Sequence, residues 1–365
     1  MKIGILTYQR ANNYGAMLQC YALYSFLQSK NLEAEVIDYR NYHIENGYKI
    51  FRKRKPVSWF LKSTINSIIW YRNLKERIDN FTKFRREYIK LSKSYTKEEI
   101  LNHGLDYDMI ISGSDQIWNP KIANGFDEVY FQNFEGNFKR ATYAVSVGNV
   151  DNPMYETSEF IQLVEKFDFL SVREKNTQEF LNEKLSKKVN LCLDPTLLIN
   201  RSEWESLANK ANIEIKSPYL LFYFVQPNPE LVKTAEYLAS KYNYAIAYFD
   251  PRCKFKCKSV CVCSAGPLEF LKLIRDAKII VTNSFHGTIF SRIFNKDVVI
   301  IAYGKNDSRV NTLTNFFDIQ SRIYYDFDDF IKNYKEESVI KYNKEIFEQQ
   351  YETSLKYIDT IIGTV

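Results

Sequence analysis

Residues 278–294, KIIVTNSFHGTIFSRIF, contain the pattern that decides the fold. The apolar run at the start is typical of a buried strand, and the apolar spacing that follows is typical of a helix. Thr282, Asn283 and Ser284 are all residue types that cap helix N-termini. His286 would then lie in the first helical turn. A strand that leads directly into a helix is the building unit of parallel α/β sheets.

The same alternation of strand and helix patterns runs along the chain. Several strand patterns are apolar on both faces, as a parallel sheet covered by helices requires. The predicted strands are 3–8, 34–39, 108–112, 142–147 and 189–194, and then 219–225, 244–249, 278–284 and 297–303. The clearest helical patterns cover 229–242 and 266–277. Two such series predict two doubly wound, Rossmann-like α/β domains facing a cleft.

The polar stretch after Asp194 and Pro195 marks the predicted boundary between the two series. We therefore expect an N-terminal α/β domain at 1–195, which contains a basic helical insertion at 49–100. A C-terminal α/β domain should follow at 196–335. Residues 336–365 are predicted to form a closing helical segment.

Bulk composition is that of a soluble globular protein, with 45% hydrophobic and 26% charged residues. No apolar run approaches the roughly 20 residues of a membrane span. The first residues form a strand pattern without a small-residue cleavage site, unlike a secretory signal. We therefore expect a cytoplasmic protein.

Basic charge is concentrated in residues 49–90, which hold 13 Lys and Arg against 3 Asp and Glu, within a chain of net charge +6. This segment includes Arg52–Lys55 and interleaved aromatic residues. Such a mixture suits peripheral contact with an anionic membrane surface. The alternative is a pair of solvated helices with buried rings. We expect no nucleic-acid partner, because no binding motif accompanies the segment.

Polar residues follow several predicted strands at the edge where ligands of open α/β sheets bind. Asn12, Asn13 and Gly15 follow the first strand, and Ser114, Asp115 and Gln116 follow the third. Arg173 comes after the short apolar run FDFLSV. These side chains and His286 are the candidate binding and catalytic groups.

Six segments in this order resemble the polysaccharide pyruvyl transferase family. They are NYGAMLQCYAL (13–23), SGSDQIWNP (112–120), SVREKN (171–176), DPTLLI (194–199), GPLEFLKLI (266–274) and VTNSFHGTIFSRIF (281–294). The resemblance implies a two-domain, glycosyltransferase-B-like fold, with the acceptor bound on the N-terminal side and the donor on the C-terminal side. It also implies transfer of pyruvate from phosphoenolpyruvate to a sugar diol as a cyclic ketal. Capsule, exopolysaccharide or another cell-envelope glycan would be the product.

The resemblance also assigns roles to residues. The family's catalytic histidine maps onto His286, the general acid, and its donor-binding arginine maps onto Arg173. Family members tend to carry a second arginine where this chain has Ser284, so Lys305 and Arg309 are candidates to bind the donor with Ser284. Asp115 is the candidate to accept the proton of the sugar hydroxyl. The residues Asn12, Asn13, Gly15, Ser114 and Gln116 would bind the acceptor, and the scheme requires no cofactor.

Four cysteines, Cys253, Cys257, Cys261 and Cys263, lie within 11 residues. Four thiolates suit a structural zinc ion, although their spacing lacks the usual pairs separated by two residues. The alternative is a loop of free, reduced thiols, which a cytoplasmic protein tolerates.

Three functions remain open at this point. The first is the ketal pyruvyltransferase, which acts on a free or lipid-linked glycan and contacts the inner membrane face. The second is a glycosyltransferase of the same fold with a nucleotide-sugar donor, because the second arginine is missing. The third is a non-catalytic envelope-assembly protein docked at the membrane through residues 49–90.

Overall fold

The computed structural model describes residues 1–51, 68–302, 313–314, 317, 319–336 and 344–364. Within these ranges the chain forms two compact units. The first combines Met1–Tyr48, Arg85–Ile199 and Lys344–Val365, and the second combines Lys49–Phe84 with Asn200–Asn343. Neither unit is continuous in sequence, unlike the domains predicted at 1–195 and 196–335.

The first unit is built on a parallel sheet of seven described strands. They are β1 (Lys2–Leu6), β2 (Glu33–Tyr39), β3 (Leu91–Tyr95), β4 (Met109–Asp115), β5 (Lys139–Val145), β6 (Leu170–Val172) and β7 (Val189–Leu191). Their order across the sheet is β3-β2-β1-β4-β5-β6-β7. Register places Ile3 beside Met109 and Ala34 in the neighbouring strands.

The second unit is built on a parallel sheet of six described strands. They are β8 (Tyr219–Tyr223), β9 (Ala245–Tyr248), β10 (Ser259–Cys261), β11 (Ile279–Thr282), β12 (Asp297–Ile301) and β13 (Ile323–Tyr324). Their order is β10-β9-β8-β11-β12-β13. All residues of β8 and β11 are buried, as expected for strands covered on both faces.

The described helices lie between these strands. In chain order they are α1 (Tyr14–Ser29), α2 (Tyr42–Gly47), α3 (Tyr71–Tyr88), α4 (Lys97–His103), α5 (Pro120–Ala123), α6 (Ser158–Glu165), α7 (Lys175–Lys184), α8 (Arg201–Asn209), α9 (Pro229–Tyr242), α10 (Pro267–Asp276), α11 (Phe285–Ile293), α12 (Phe327–Asn333) and α13 (Lys344–Ile362). Short 3₁₀ helices cover Pro153–Glu156, Pro195–Leu197 and Gln320–Arg322.

Local sequence explains where α9 begins and ends. Pro229 occupies its first turn, where no N–H partner is needed, and the Asn228 side chain accepts a hydrogen bond from the Glu230 N–H at 2.9 Å. The helix stops at Asn243, which adopts a left-handed conformation with φ of 53°. These signals are local, and the prediction of a helix at 229–242 is confirmed.

The predicted fold class is confirmed, but one sequence prediction about the peripheral segments needs correction. The insertion predicted to be helical through residue 100 contains strand β3, because Leu91–Tyr95 pairs with β2. The helix predicted for the closing segment is present as α13, which groups with the first unit. There the Tyr357 hydroxyl donates to the Thr142 carbonyl at 2.7 Å, and the Ser354 Oγ accepts from the Leu193 N–H at 2.9 Å.

Both sheets reverse their strand order at one position. The reversal lies between β1 and β4 in the first sheet and between β8 and β11 in the second. Chains leaving the carboxyl ends of such neighbours diverge to opposite faces, which opens a crevice where α/β proteins bind ligands. The candidate residues of the sequence lie at or just after the carboxyl ends of β1, β4 and β11, so each sheet has candidates at its own crevice.

Candidate functional site

In the second unit, Ser284 is the residue that starts α11. Its Oγ accepts a hydrogen bond from the Gly287 N–H at 3.2 Å, and its own N–H donates to the Thr282 Oγ1 at 2.9 Å. Of the three predicted capping residues, Ser284 is therefore the N-cap. Its hydroxyl, which we expected to bind the donor, is engaged in the helix start.

His286 lies in the first turn of α11, as predicted. Its side chain is largely enclosed, with the residue 7% exposed, and its ring meets the Phe285 ring edge-on at 5.2 Å. Charges act strongly at an enclosed position, because little water screens them. The geometry thus places an imidazole at the carboxyl end of β11, beside the crevice of the second sheet.

Gly287 explains how the first turn of α11 approaches the sheet so closely. A Cβ at this position would lie 2.7 Å from the Thr282 Oγ1 and 3.0 Å from the Tyr223 ring. Any larger residue would therefore push the helix start away from β8 and β11. The glycine fixes the height of His286 above the strand ends.

Asn283 joins the two segments that border this crevice. Its Oδ1 accepts from the Val225 N–H at 3.0 Å, and its Nδ2 donates to the Gln226 carbonyl at 2.7 Å. The loop after β8 is thereby tied to the loop after β11. Sequence analysis predicted Asn283 only as a capping candidate, because a contact across 57 residues leaves no local signal.

In the first unit, the residues after β1 combine helix capping with polar groups at the crevice. Asn13 is the N-cap of α1, and its Oδ1 accepts from the Ala16 N–H at 3.1 Å. Asn12 and Asn13 are half-buried, whereas Gly15 is buried in the first turn. The amino end of α1 therefore opens at the carboxyl end of β1, as expected.

The residues at the carboxyl end of β4 are one internal residue, Ser114, and two half-buried residues, Asp115 and Gln116. Ser114 is fully buried: its Oγ donates to the Ala144 carbonyl at 2.9 Å, and its N–H donates to the Gln19 Oε1 at 3.1 Å. This corrects its prediction as an acceptor-binding residue, since its polar atoms serve the interior. Asp115 and Gln116 are half-buried, and the Asp115 Oδ1 accepts from the Gln116 N–H at 2.8 Å.

Arg173 lies inside the first unit rather than at its surface. The residue is 2% exposed, and its Nη1 donates to the Asp194 Oδ2 at 2.8 Å while its Nε donates to the Glu174 Oε1 at 3.1 Å. Burial alone would lower the pKa of Arg173, but the charges of Glu174 and Asp194 outweigh burial and raise it. Both carboxylates are themselves buried. Arg173 therefore holds internal carboxylates, in contrast to the open anion site that we expected.

A pair of guanidinium groups beside β1 was not predicted from the sequence. The Arg10 Nε donates to the Asp38 Oδ1 at 2.7 Å, and the Arg85 Nη1 donates to the Gln9 carbonyl at 2.8 Å. Burial and the nearby Arg10 charge lower the pKa of Arg85. The only sequence signal for this pair was the position of Arg10 just after a strand. Arg85 lies within the basic segment 49–90, where nothing distinguishes it from its basic neighbours.

Two sets of predicted residues lie outside the described ranges or lack the expected arrangement. Lys305 and Arg309, and the basic residues Arg52–Lys55, are outside them. Cys253, Cys257, Cys261 and Cys263 are described as free thiols. Across the described ranges, no group of three or more His, Cys, Asp or Glu side chains is placed to hold a metal ion.

Comparison of the coordinates with solved structures defines the class of the fold. The UDP-GlcNAc 2-epimerase of Methanocaldococcus jannaschii, in complex with UDP-GlcNAc and UDP, superposes with a TM-score of 0.58 over 99% of this chain and 100% of that one, at 12% identity. The UDP-N-acetylglucosamine 2-epimerase of Rickettsia bellii gives 0.56 over 99% and 96%, at 10% identity. At these identities the likeness concerns the fold alone. The chain has the two Rossmann-like units of the glycosyltransferase-B class.

A family model then gives the particular group. The model for polysaccharide pyruvyl transferase matches residues 13–306, and the chain belongs to this family. The matched range includes Asn13, Asp115 and Gln116 of the first unit and His286 of the second. No curated protein sequence matches the chain significantly.

Proposed function

We propose that the protein is a ketal pyruvyltransferase that moves pyruvate from phosphoenolpyruvate to a sugar diol during the assembly of a capsule, exopolysaccharide or other cell-envelope glycan. The observation that carries the proposal is the family match over 13–306 together with the place of His286. Its imidazole lies in the first turn of α11, at the crevice of the second sheet. The amino end of a helix carries partial positive charge, which attracts the carboxylate and phosphate of this donor.

The reaction needs a proton at the methylene carbon of phosphoenolpyruvate. In the proposed mechanism, His286 in its protonated form gives this proton, and positive charge develops at the central carbon, which one sugar hydroxyl attacks. The bond from the central carbon to the phosphate oxygen then breaks, and the neighbouring hydroxyl closes the ketal. One hydroxyl proton restores His286 and the other leaves with inorganic phosphate, so protons balance. A bound dianion favours the imidazolium that the step requires.

The acceptor would bind at the crevice of the first sheet. Asn12, Asp115 and Gln116 are polar and half-buried; Asn12 follows β1, Asp115 ends β4 and Gln116 follows it. Amide and carboxylate groups of this kind hydrogen-bond sugar hydroxyls, and Asp115 is the candidate to accept the second hydroxyl proton and pass it to the departing phosphate. Ser114 and Arg173 would support this crevice from inside, through their contacts with Asp194.

The proposal is tested by incubating the purified protein with phosphoenolpyruvate and galactose- or mannose-containing acceptors. Phosphate release together with a new methyl signal in the proton spectrum is the expected result. His286→Asn should lower kcat about 10²- to 10⁴-fold, the usual contribution of a general acid. His103→Asn, on an exposed histidine, is the matched control and should leave kcat unchanged.

Two results would redirect the assignment. Transfer from a UDP-sugar without any reaction of phosphoenolpyruvate would favour the glycosyltransferase. Full glycan assembly by cells that carry His286→Asn would favour the non-catalytic assembly protein.

We also propose that the second unit contacts an anionic membrane surface. Phe51, Ile68, Ile69 and Tyr71 are between 44% and 66% exposed, on both sides of the basic run 52–55 in the sequence. Exposed apolar side chains beside cations suit the headgroup region of a bilayer. None of the described helices is long and apolar enough to cross a membrane.

Vesicle sedimentation tests the membrane contact. Binding to vesicles that contain phosphatidylserine should weaken as salt rises, and Ile69→Glu should weaken it further. Ile122→Glu is the matched control, because Ile122 is an exposed isoleucine of the first unit. Equal binding to neutral and anionic vesicles would contradict the proposal.

A further inference from the structure

We propose that the second unit carries an additional binding site for a neutral saccharide unit, at the opposite edge of its sheet from His286. This inference rests on the proposed function, in which the acceptor is a glycan. The site is a cavity of about 390 Å³ between the amino ends of β11 and β12 and the carboxyl ends of the helices packed beside them. That volume lies within the range of small-molecule sites, roughly 300–1,000 Å³.

Three tyrosines form an aromatic wall of the cavity. The rings of Tyr242 and Tyr244 stack with centroids 5.6 Å apart and an interplanar angle of 25°. The hydroxyls of Tyr242 and Tyr334 lie 3.4 Å apart. All three residues are half-buried, so the rings remain partly accessible. A tyrosine presents an apolar face and a polar tip, which matches the alternating C–H and O–H groups of a pyranose.

Polar groups of both kinds surround these rings. Lys278 and Lys296 offer donors, and Asp297 and Glu336 offer acceptors. The Asp297 Oδ1 lies 3.3 Å from the Arg322 Nη1, and it has no hydrogen-bond partner within the described ranges. Burial raises the pKa of the Asp297 carboxyl, although Arg322 opposes the shift. The Oδ1 atom is buried against Arg322, but the Asp297 side chain as a whole is 21% exposed and lines the cavity.

The charges decide which class of ligand fits. Glu336 pairs with Lys241 and Asp297 pairs with Arg322, so neither carboxylate is an uncompensated negative charge. An anion would suit the two remaining lysines but would meet the carboxyl ends of helices α9 and α12, which carry partial negative charge. A cation would meet the lysines. A saccharide avoids both conflicts, because each hydroxyl can donate to the carboxylates and accept from the lysines. Its C–H face would pack on the tyrosines.

Such a site would act on polymers rather than on short acceptors. A second contact on the same chain raises the effective concentration of a long glycan near the enzyme. A mono- or disaccharide occupies one site at a time and gains nothing. The inference therefore predicts a length-dependent KM.

The experiment uses the full chain with galactose- and mannose-containing oligosaccharides of two and about twelve units. Calorimetry without phosphoenolpyruvate measures oligosaccharide binding, and the phosphate-release assay measures kcat and KM. Tyr244→Ala should weaken binding of the long oligosaccharide and raise its KM about 10-fold, while kcat and KM for the disaccharide stay unchanged. Tyr244→Phe, which keeps the ring face, should retain most of the affinity. Tyr237→Ala, on a partly exposed tyrosine that does not line the cavity, is the matched control.

Lys278→Ala gives a second route to the same answer, because Lys278 is exposed and its removal leaves the core intact. This substitution should also weaken binding of the long oligosaccharide, and it should leave kcat and KM for the disaccharide unchanged. Unchanged binding of the long oligosaccharide by both variants would overturn the inference, as would displacement of bound glycan by UDP at this site. Tyr244-dependent glycan binding without any pyruvyl transfer would overturn only the proposed function. Pyruvyl transfer to the long oligosaccharide with the same kcat and KM in both variants as in the unsubstituted protein would overturn only the second site.

Discussion

Replacing Arg173 by methionine should destabilise the first unit, because Glu174 and Asp194 would lose the charge that both contact. The residues are 2%, 0% and 1% exposed. Removing one partner of a buried ion pair typically costs about 3–5 kcal/mol, since the remaining charge is left without compensation. For a unit of this size, that corresponds to a fall in Tm of roughly 6–20 °C.

Urea unfolding measures the loss, and 5-fluorotryptophan labelling gives Trp118 in the first unit a fluorine signal of its own. Lys175→Ala is the matched control. Its exposed ion pair with Glu179 spans 3.7 Å, so its removal should change the unfolding free energy by less than about 0.5 kcal/mol. Adding Glu174→Gln and Asp194→Asn to the methionine variant should restore most of the lost stability, because no buried charge then remains.

The pH dependence of the Arg173→Met variant provides an independent check. Without the guanidinium, buried carboxyls favour the protonated form, so their folded-state pKa rises above the unfolded value. The loss of unfolding free energy relative to the unsubstituted protein is therefore largest at neutral pH and shrinks as the pH falls through the raised pKa. A loss of unfolding free energy below about 1 kcal/mol, or a loss that is the same at pH 5 and pH 7, would refute this reasoning. Parent-like stability with lost phosphoenolpyruvate binding would instead give Arg173 the donor-binding role.

Three further outcomes follow from the structure. Gly287→Ala should lower stability by about 1–3 kcal/mol through overpacking, as judged by thermal unfolding, whereas Gly47→Ala, with open space around it, should not. Burial raises the pKa of Asp38, but the hydrogen bond and charge of Arg10 outweigh burial and lower it below its usual 3.8. Asp38→Asn should therefore destabilise the protein at neutral pH. The difference in unfolding free energy between the two proteins should disappear as the pH falls below 3.8 and through the lowered pKa. A hydrogen bond from the thiol two residues on lowers the pKa of Cys261 to about 7, so mass spectrometry should show that iodoacetamide labels it fastest, with half-maximal rate near pH 7.

The parts of the fold that were predictable depend on local signals. The helix at 229–242 carries its own cap, proline and apolar spacing, and the buried strands are continuous apolar runs. Strands β3 and β10 escaped prediction because LSKSY and SVC are short or half polar and pair at the edges of their sheets. An edge strand is stabilised by one neighbour, which its own sequence does not reveal.

The candidate site shows the same division. His286 could be located because a strand and a helix cap flank it directly. The interior role of Arg173 could not be predicted, because Asp194 lies 21 residues away and burial is decided by packing. The ties that Asn283 makes across the second crevice were equally invisible, since its partners follow a different strand.

The attachment of α13 to the first unit has a consequence for biosynthesis. Tyr357 contacts Thr142 within β5 and Ser354 contacts Leu193 just after β7, yet the ribosome makes both after the whole stretch 200–336. The second sheet can therefore assemble on the emerging polypeptide while the first still lacks one of its covering helices. The second unit would therefore be complete before the first, although most of the first unit is translated earlier. A product released before residue 344 would leave an apolar face for chaperones and proteases to bind.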